Sequence, residues 1–284
     1  MEIRFTKMHG IGNDYIYINC MDGVPFDPAA LSVAMSPHRF SVGGDGIILI
    51  CASDVADAKM RIFNADGSEA MMCGNGIRCV GKYLYDYGIV PKTEIAVETL
   101  SGVKYLSLTV ENGKAKTIRV DMGKASFAPE AIPTTWNGEM VNAPVPVAGE
   151  TYNITGVSMG NPHGVVYVDD PAALDLAAIG PAFEHNPVFP NRVNTEFVKI
   201  ADPTHLIMRV WERGSGETYA CGTGACAVAA ASVKNGYSPA DTPITVKLLG
   251  GELTITARSD WSVTMEGPAE KVYEGVYEYE SAAE

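Results

Sequence analysis

Apolar and polar residues alternate along residues 59–63 (Lys-Met-Arg-Ile-Phe) and again along 206–211 (Leu-Ile-Met-Arg-Val-Trp), the period of a β-strand. Each run ends in a turn-forming stretch, Asn64-Ala65-Asp66-Gly67-Ser68 and Glu212-Arg213-Gly214-Ser215-Gly216. A Cys-Gly-x-Gly segment follows each turn, and then a helical segment, 77–87 in one case and 225–235 in the other. Gly88 with Pro91, and Gly236 with Pro239, supply the stop signals. The second helix opens Ala225-Cys226-Ala227-Val228-Ala229-Ala230-Ala231, small and apolar on every side, which predicts burial inside its domain. Strand patterns resume at 94–97, 103–110, 118–121, 244–247, 252–257 and 261–265. One buried helix wrapped by many strands predicts an α+β fold with a curved sheet or open barrel in each half.

The two patterns are copies. Shifted by 148 positions, the separation of Cys73 and Cys221, the chain matches itself without a gap. Gly12-Asn13 falls on Gly160-Asn161, and Met60-Arg61-Ile62-Phe63-Asn64 falls on Met208-Arg209-Val210-Trp211-Glu212. Glu69, Val80, Gly88, Pro91 and Gly102 fall on Glu217, Val228, Gly236, Pro239 and Gly250. One register held from residue 12 to residue 102 indicates an internal duplication, with a period far too long for a solenoid. The expected seam is 123–150, which holds Pro129, Pro133, Pro144 and Pro146 and little periodic pattern.

Composition removes several function classes. The 34 acidic and 21 basic residues give a net charge of −13, which argues against nucleic acid or an anionic membrane as partner. The first residues carry no apolar signal core, and the longest apolar run, 47–52, is far short of a membrane span. Six cysteines in 284 residues are too few for a disulfide scaffold, so a cytoplasmic, reduced chain is expected.

The chemistry then rests on the thiols. Cys73 and Cys221 each stand immediately before a glycine-containing loop that opens a helix. The helix dipole and free N–H groups there lower a thiol's pKa toward neutrality and bind an anion such as a carboxylate. Inverting a stereocentre beside a carboxylate needs a base on one face of the carbon and an acid on the other, and a matched thiolate and thiol suit that. Cys20 and Cys51 sit in apolar strand-like runs and Cys79 and Cys226 inside helices, where a cysteine acts as a small hydrophobe. The Cys-x5-Cys and Cys-x4-Cys spacings are not zinc knuckles, and no Cys-x-x-Cys redox motif occurs. Gly10-Ile11-Gly12-Asn13-Asp14 lacks the third glycine of a dinucleotide loop. No metal and no cofactor are expected.

Several long motifs resemble the diaminopimelate epimerase family: Lys7-Met8-His9-Gly10-Ile11-Gly12-Asn13-Asp14, Phe63 to Glu69 leading to Cys73-Gly74-Asn75-Gly76-Ile77-Arg78-Cys79, Ser158-Met159-Gly160-Asn161-Pro162-His163, Arg192-Val193-Asn194, and Glu212 to Thr218 leading to Cys221-Gly222-Thr223-Gly224-Ala225-Cys226. The resemblance runs nearly end to end. It implies cofactor-independent conversion of LL- to meso-2,6-diaminopimelate in the lysine and peptidoglycan-precursor pathway. It implies that Cys73 and Cys221 are the proton-transfer pair, that His163 supports the first thiol and that Glu212 supports the second. Backbone N–H groups of Gly74, Asn75, Gly222 and Thr223 would hold the reacting carboxylate. Asn13, Asn64, Asn161, Asn194 and Arg213 would hold amines and the distal carboxylate. Gly46 is a departure, standing where some members carry a polar side chain that touches substrate.

The resemblance also implies two pseudo-symmetric domains, each a mostly antiparallel barrel-like sheet around a central helix. The expected division is 1–122 plus 266–284, and 123–265, with a last strand near 266–279 returning to the first domain. A homodimer is implied as well. Competing readings are a proline or hydroxyproline racemase of the same fold, disfavoured by the distal clamp of Asn64, Asn194 and Arg213, and a cysteine-based metal or redox protein. A carrier without chemistry has no need of paired thiols. A pyridoxal-phosphate racemase would need a lysine, and none sits in the duplicated loops.

Overall fold

The computed structural model describes residues 1–280. The chain forms two compact units, one from residues 1–120 with the stretch from 267 onward, the other from 121–266.

The first unit contains β1 (Glu2–Gly10), β2 (Asn13–Cys20), α1 (Pro28–Met35), β3 (Gly46–Cys51), β4 (Ala58–Asn64), β5 (Glu69–Ala70), α2 (Gly74–Asp86), β6 (Glu94–Thr99), β7 (Gly102–Glu111) and the start of β8 (Lys114–Lys124). The second contains β9 (Ala143–Val147), β10 (Glu150–Ser158), β11 (Pro162–Tyr167), α3 (Leu176–Glu184), β12 (Asn194–Asp202), β13 (His205–Glu212), β14 (Gly216–Thr218), α4 (Gly222–Lys234), β15 (Ile244–Leu248), β16 (Gly251–Ala257) and most of β17 (Ser262–Pro268). A last strand, β18 (Glu270–Glu278), belongs to the first unit. The starts of β1 and β10, of α1 and α3, of α2 and α4, and of β8 and β17 all lie at the 148-residue offset of the two cysteines.

Pairing repeats too. In the first unit β1–β2, β3–β4, β6–β7 and β7–β8 are antiparallel, while β2–β3 and β4–β6 are parallel. In the second, β10–β11, β12–β13, β15–β16 and β16–β17 are antiparallel, while β11–β12 and β13–β15 are parallel. Each sheet is mostly antiparallel and barrel-like, with α2 packed on β1, β2 and β7 and α4 on β10, β11, β12, β15 and β16. One edge differs in origin. β10 is flanked by β9, which immediately precedes it, whereas β1 is flanked by β18, which follows the whole second unit.

Residues 46–51 are all buried because helices cover both faces of β3. Ile47 and Leu49 join Ile16, Ile18, Leu31 and Met35 in the layer under α1, while Ile48 faces α2 at Gly76. α1 is fixed locally, with Asp27 Oδ1 accepting Ala29 N at 2.9 Å and Pro28 in the first turn. The seam contains a strand the pattern hid: β9 alternates buried Ala143, Val145 and Val147 with exposed Pro144 and Pro146. Prolines are tolerated there because, among the described residues, β9 pairs on one side only, with β10. Gly10-Ile11-Gly12-Asn13 is the β1–β2 hairpin, with Ile11 (φ 50°) and Gly12 (φ 89°) as its two-residue turn. Among the described residues no helix is long and apolar enough to cross a membrane.

Candidate active site

Cys73 and Cys221 are the N-caps of α2 and α4, so both helices begin three residues earlier than the apolar pattern predicts. Each cysteine is extended, and its sulfur takes the place of a capping oxygen. Gly76 N donates to Cys73 Sγ at 3.3 Å, and Gly224 N donates to Cys221 Sγ at 3.4 Å. The first helical N–H groups belong to Gly74 and Asn75 in one unit and to Gly222 and Thr223 in the other. A helix cannot satisfy such groups internally, and its dipole draws anions to them.

In the first unit Cys73 is half-buried, and its thiol donates to Asn13 Oδ1 at 3.3 Å. Asn13 Nδ2 donates to Asp45 Oδ2 at 2.6 Å, and the same oxygen accepts Asp14 N at 3.0 Å. Asp45, unremarked in the sequence, therefore decides which end of the Asn13 amide meets the sulfur. Burial raises the Asp45 carboxyl above its ordinary value, against its hydrogen bonds. Asn64 closes its turn through Nδ2 to Ser68 Oγ at 3.0 Å. Asn75 is buried, with Oδ1 accepting Arg78 Nη1 at 2.9 Å, so its backbone rather than its side chain is placed for a ligand. Arg78 is completely buried and also donates to Gly74 O and Pro268 O.

Gly46 explains its own departure from the family pattern. Its φ is 151°, and a Cβ there would stand 2.0 Å from Phe63 O, so this backbone accepts no side chain.

In the second unit Cys221 is only 5% exposed. Glu212, at the end of β13, accepts the Thr218 hydroxyl and lies close enough to the Cys221 thiol to act on its charge. Here the expected lowering of the thiol pKa does not hold. Burial, then the nearby carboxyl groups of Glu212 and Glu196, push Cys221 well above its usual range, opposed by Thr223 and Gly224 N–H. Burial raises Glu212 as well. Desolvation outweighs the dipole at this helix start.

His163, on β11, is fully buried. Its partners are Glu196 Oε1, 2.7 Å from Nδ1, and Asn161 Oδ1, 3.1 Å from Nε2. Asn161 Nδ2 reaches Thr223 Oγ1 at 3.3 Å. Asn194 spends both ends of its amide on backbone, accepting Arg213 N at 2.9 Å and donating to Pro162 O at 3.0 Å. It sets the path of the Glu212–Arg213 corner. Arg213 is exposed, with Nη1 donating to Asn191 O at 3.1 Å.

The structure thus gathers Asn13 and Cys73 around one helix start, and Asn161, His163, Glu212, Cys221 and Thr223 around the other. Asn64 ends β4, Asn194 begins β12, and Arg213 directly follows β13. Sequence reasoning missed Asp45, Glu196, Thr218 and the role of Arg78. Glu196 left a readable signal, an acid inside the apolar strand run Thr195-Glu196-Phe197-Val198. A groove of about 560 Å³ lined by β1, β2 and the Tyr83–Tyr87 end of α2 contains none of these residues. Among the described residues no cluster of three or more His, Cys, Asp or Glu side chains is arranged to hold a metal ion.

The sequence profile of diaminopimelate epimerase matches residues 5–128 and 155–272. A diaminopimelate epimerase of Acetivibrio thermocellus is 53% identical over 279 residues, covering 96% of this chain and 98% of its own length. One of Methanococcus maripaludis is 49% identical over 275 residues, covering 96% and 99%. Among solved structures, a hydroxyproline epimerase from Agrobacterium vitis superposes with a TM-score of 0.73 at 14% identity, over 97% of this chain and 92% of that one. A PhzF-family phenazine biosynthesis protein of Bacillus anthracis gives 0.68 at 17% identity, over 98% and 100%. Likeness at such low identity describes the fold alone.

Proposed function

The chain belongs to the diaminopimelate epimerase family, and we propose that it interconverts LL- and meso-2,6-diaminopimelate by two-base proton transfer between Cys73 and Cys221. One sulfur, as thiolate, takes the α-hydrogen as a proton. The electron pair left behind spreads into the α-carboxylate, where helix-start N–H groups of Gly74, Asn75, Gly222 and Thr223 stabilise it. The other sulfur, as thiol, returns a proton to the opposite face, and the two groups exchange roles for the reverse reaction. Cys221, buried beside Glu212, enters as the acid. In the reverse direction, where Cys221 acts as the base, Glu212 takes the thiol's proton beforehand, and His163 serves the other thiol in the same way. Asn13, Asn64, Asn161, Asn194 and Arg213 orient the amines and the distal carboxylate, Arg213 through its bidentate fork.

The observation that carries this reading is the matched pair of cysteine caps, on equivalent helices of a duplicated unit, in a chain 53% identical to a diaminopimelate epimerase. The thiols supply acid and base themselves, so the enzyme works without pyridoxal phosphate or metal, and hydroxylamine and chelators are expected to leave turnover unchanged. It acts in the cytoplasm as a homodimer, which light scattering tests. Turnover in heavy water is expected to place deuterium at one α-carbon, and Cys73→Ala and Cys221→Ala each to stop interconversion. Full turnover in either variant refutes the two-thiol mechanism.

A further inference from the structure

His163 has a part in the reaction described so far, but Glu196, the buried carboxyl group it is paired with, has none. Glu196 and His163 are both 0% exposed, on neighbouring parallel strands, with Oε1 2.7 Å from Nδ1. A carboxyl group sealed from water needs a reason beyond packing, since burying it unpaired is costly. Its neighbours supply one.

The hydrogens in this network follow from the orientation of the Asn161 amide. Asn161 Nδ2 lies 3.3 Å from Thr223 Oγ1, so Asn161 presents its oxygen to His163. An amide oxygen only accepts, so Nε2 of His163 carries a hydrogen. The hydrogen of the His163–Glu196 contact lies between Nδ1 and Oε1. Thr223 Oγ1 accepts from Asn161 and has its own hydrogen left for Cys221 Sγ, 3.6 Å away. From His163 Nε2 onward, every donor in the series points toward the sulfur. Gly224 shows how tightly this end is built, because a Cβ there would meet Glu196 Oε1 at 2.7 Å and Cys221 Sγ at 3.1 Å. The other groups facing that sulfur are Glu212 from β13 and, through Glu212, Thr218 from β14.

We propose that Glu196 is a positioning residue for the reaction: it fixes the His163 imidazole with Nε2–H outward, and through Asn161 and Thr223 it aims a hydroxyl hydrogen at Cys221 Sγ. The thiolate that forms when Cys221 gives up its proton is thereby met by a donor already in place. Without the Glu196 carboxyl nothing fixes which ring nitrogen carries the hydrogen, so the Asn161 amide is free to turn over and the Thr223 hydroxyl to follow it away from the sulfur. This assignment rests on the role given above to Cys221, and its test reads the thiol directly, apart from turnover.

The test is the pH dependence of Cys221 alkylation by limiting iodoacetamide, followed on the Cys221 peptide by mass spectrometry in the full-length enzyme. Glu196→Gln and Thr223→Val are each expected to move the midpoint up by about one pH unit, the size of one hydrogen bond to a charged acceptor. The double variant is expected to move it no further than either single change, because both break the same series. Turnover should fall by about a hundredfold in Glu196→Gln, a usual size for losing an oriented acid–base group, with KM little changed. A wild-type midpoint in Glu196→Gln, or additive shifts in the double variant, overturns the proposal. Should Glu196→Gln not fold, the ¹⁵N shifts of His163 in the unaltered enzyme decide, since Nε2 found unprotonated at neutral pH overturns it equally. Altered alkylation in an enzyme that does not epimerise diaminopimelate would refute the substrate and leave Glu196 in its place.

Discussion

Gly76 and Gly224 occupy the same position in the two copies, the third residue of a helix capped by cysteine, yet alanine is expected to have unequal consequences at the two sites. In either helix the change brings about 1 kcal/mol of intrinsic helix propensity. At Gly76 the new Cβ meets the terminal methyl of Ile48 at 2.6 Å, a group that can rotate, and Cys73 Sγ at 3.5 Å, an ordinary contact. At Gly224 it meets Glu196 Oε1 at 2.7 Å, Cys221 Sγ at 3.1 Å and Cys221 Cβ at 3.2 Å. Glu196 is held by His163, and giving up that charge-assisted bond costs about 1.5–3 kcal/mol. The balance is near zero at Gly76 and about 0.5–2 kcal/mol unfavourable at Gly224, a melting temperature lower by a few degrees at this size. Displacing a reacting group by 1 Å can cost about a hundredfold, so a sulfur pushed a few tenths of an ångström implies about a tenfold slower Gly224→Ala enzyme. Deuterium incorporation into diaminopimelate and thermal melts on both variants measure these quantities. Turnover and melting of Gly224→Ala equal to or above those of Gly76→Ala would show that neither the buried carboxyl nor the sulfur is fixed as described.

Glu212→Gln is expected to abolish turnover yet flatten the stability–pH curve. Burial raises the Glu212 carboxyl, so its contribution to stability is complete below the ordinary carboxylate range, about pH 4, and is lost as pH rises through the raised value. Urea melts at acid and neutral pH check this, and an unchanged slope counts against it. Gly46→Gln, which restores a polar side chain, is expected to yield little folded protein, since its Cβ would collide with Phe63 O. Recovery of a soluble enzyme with a wild-type melt would show that the β3 entry can shift. Arg78→Met leaves the buried acceptors Gly74 O, Asn75 Oδ1 and Pro268 O without their donor, an expected loss of about 3–5 kcal/mol in chemical denaturation. A loss below about 1 kcal/mol, the value of one ordinary hydrogen bond, would contradict that accounting.

The duplication, the two strand–turn–Cys–helix segments and the order of the later strands were legible because they repeat, and repetition doubles a weak signal. The helix starts were misplaced by three residues because glycine argues against helix, whereas a capping sulfur and the tertiary fit of Gly76 and Gly224 override that preference. β3 gave no alternation to read, being covered on both faces, and β9 was masked by its outward prolines. In the site, the residues inside motifs were visible and their fixers were not. Asp45 and Glu196 act on Asn13 and His163 across strands distant in sequence, and only the sheet register brings them together. The thiol pKa was misjudged at Cys221 because a sequence displays a helix start but not the depth at which it is buried.

The unequal origin of the two outer strands bears on how the molecule is made. The second unit is continuous in sequence and brings β9 to β10 through a tight turn, so it can assemble as soon as it is synthesised. The first cannot complete its edge until β18 arrives, after every residue of the second has been added. The half translated first is the half finished last, reversing the usual order of folding on the ribosome. Throughout synthesis of its twin, the β1 edge stays open to strand-binding chaperones, or to the wrong neighbour.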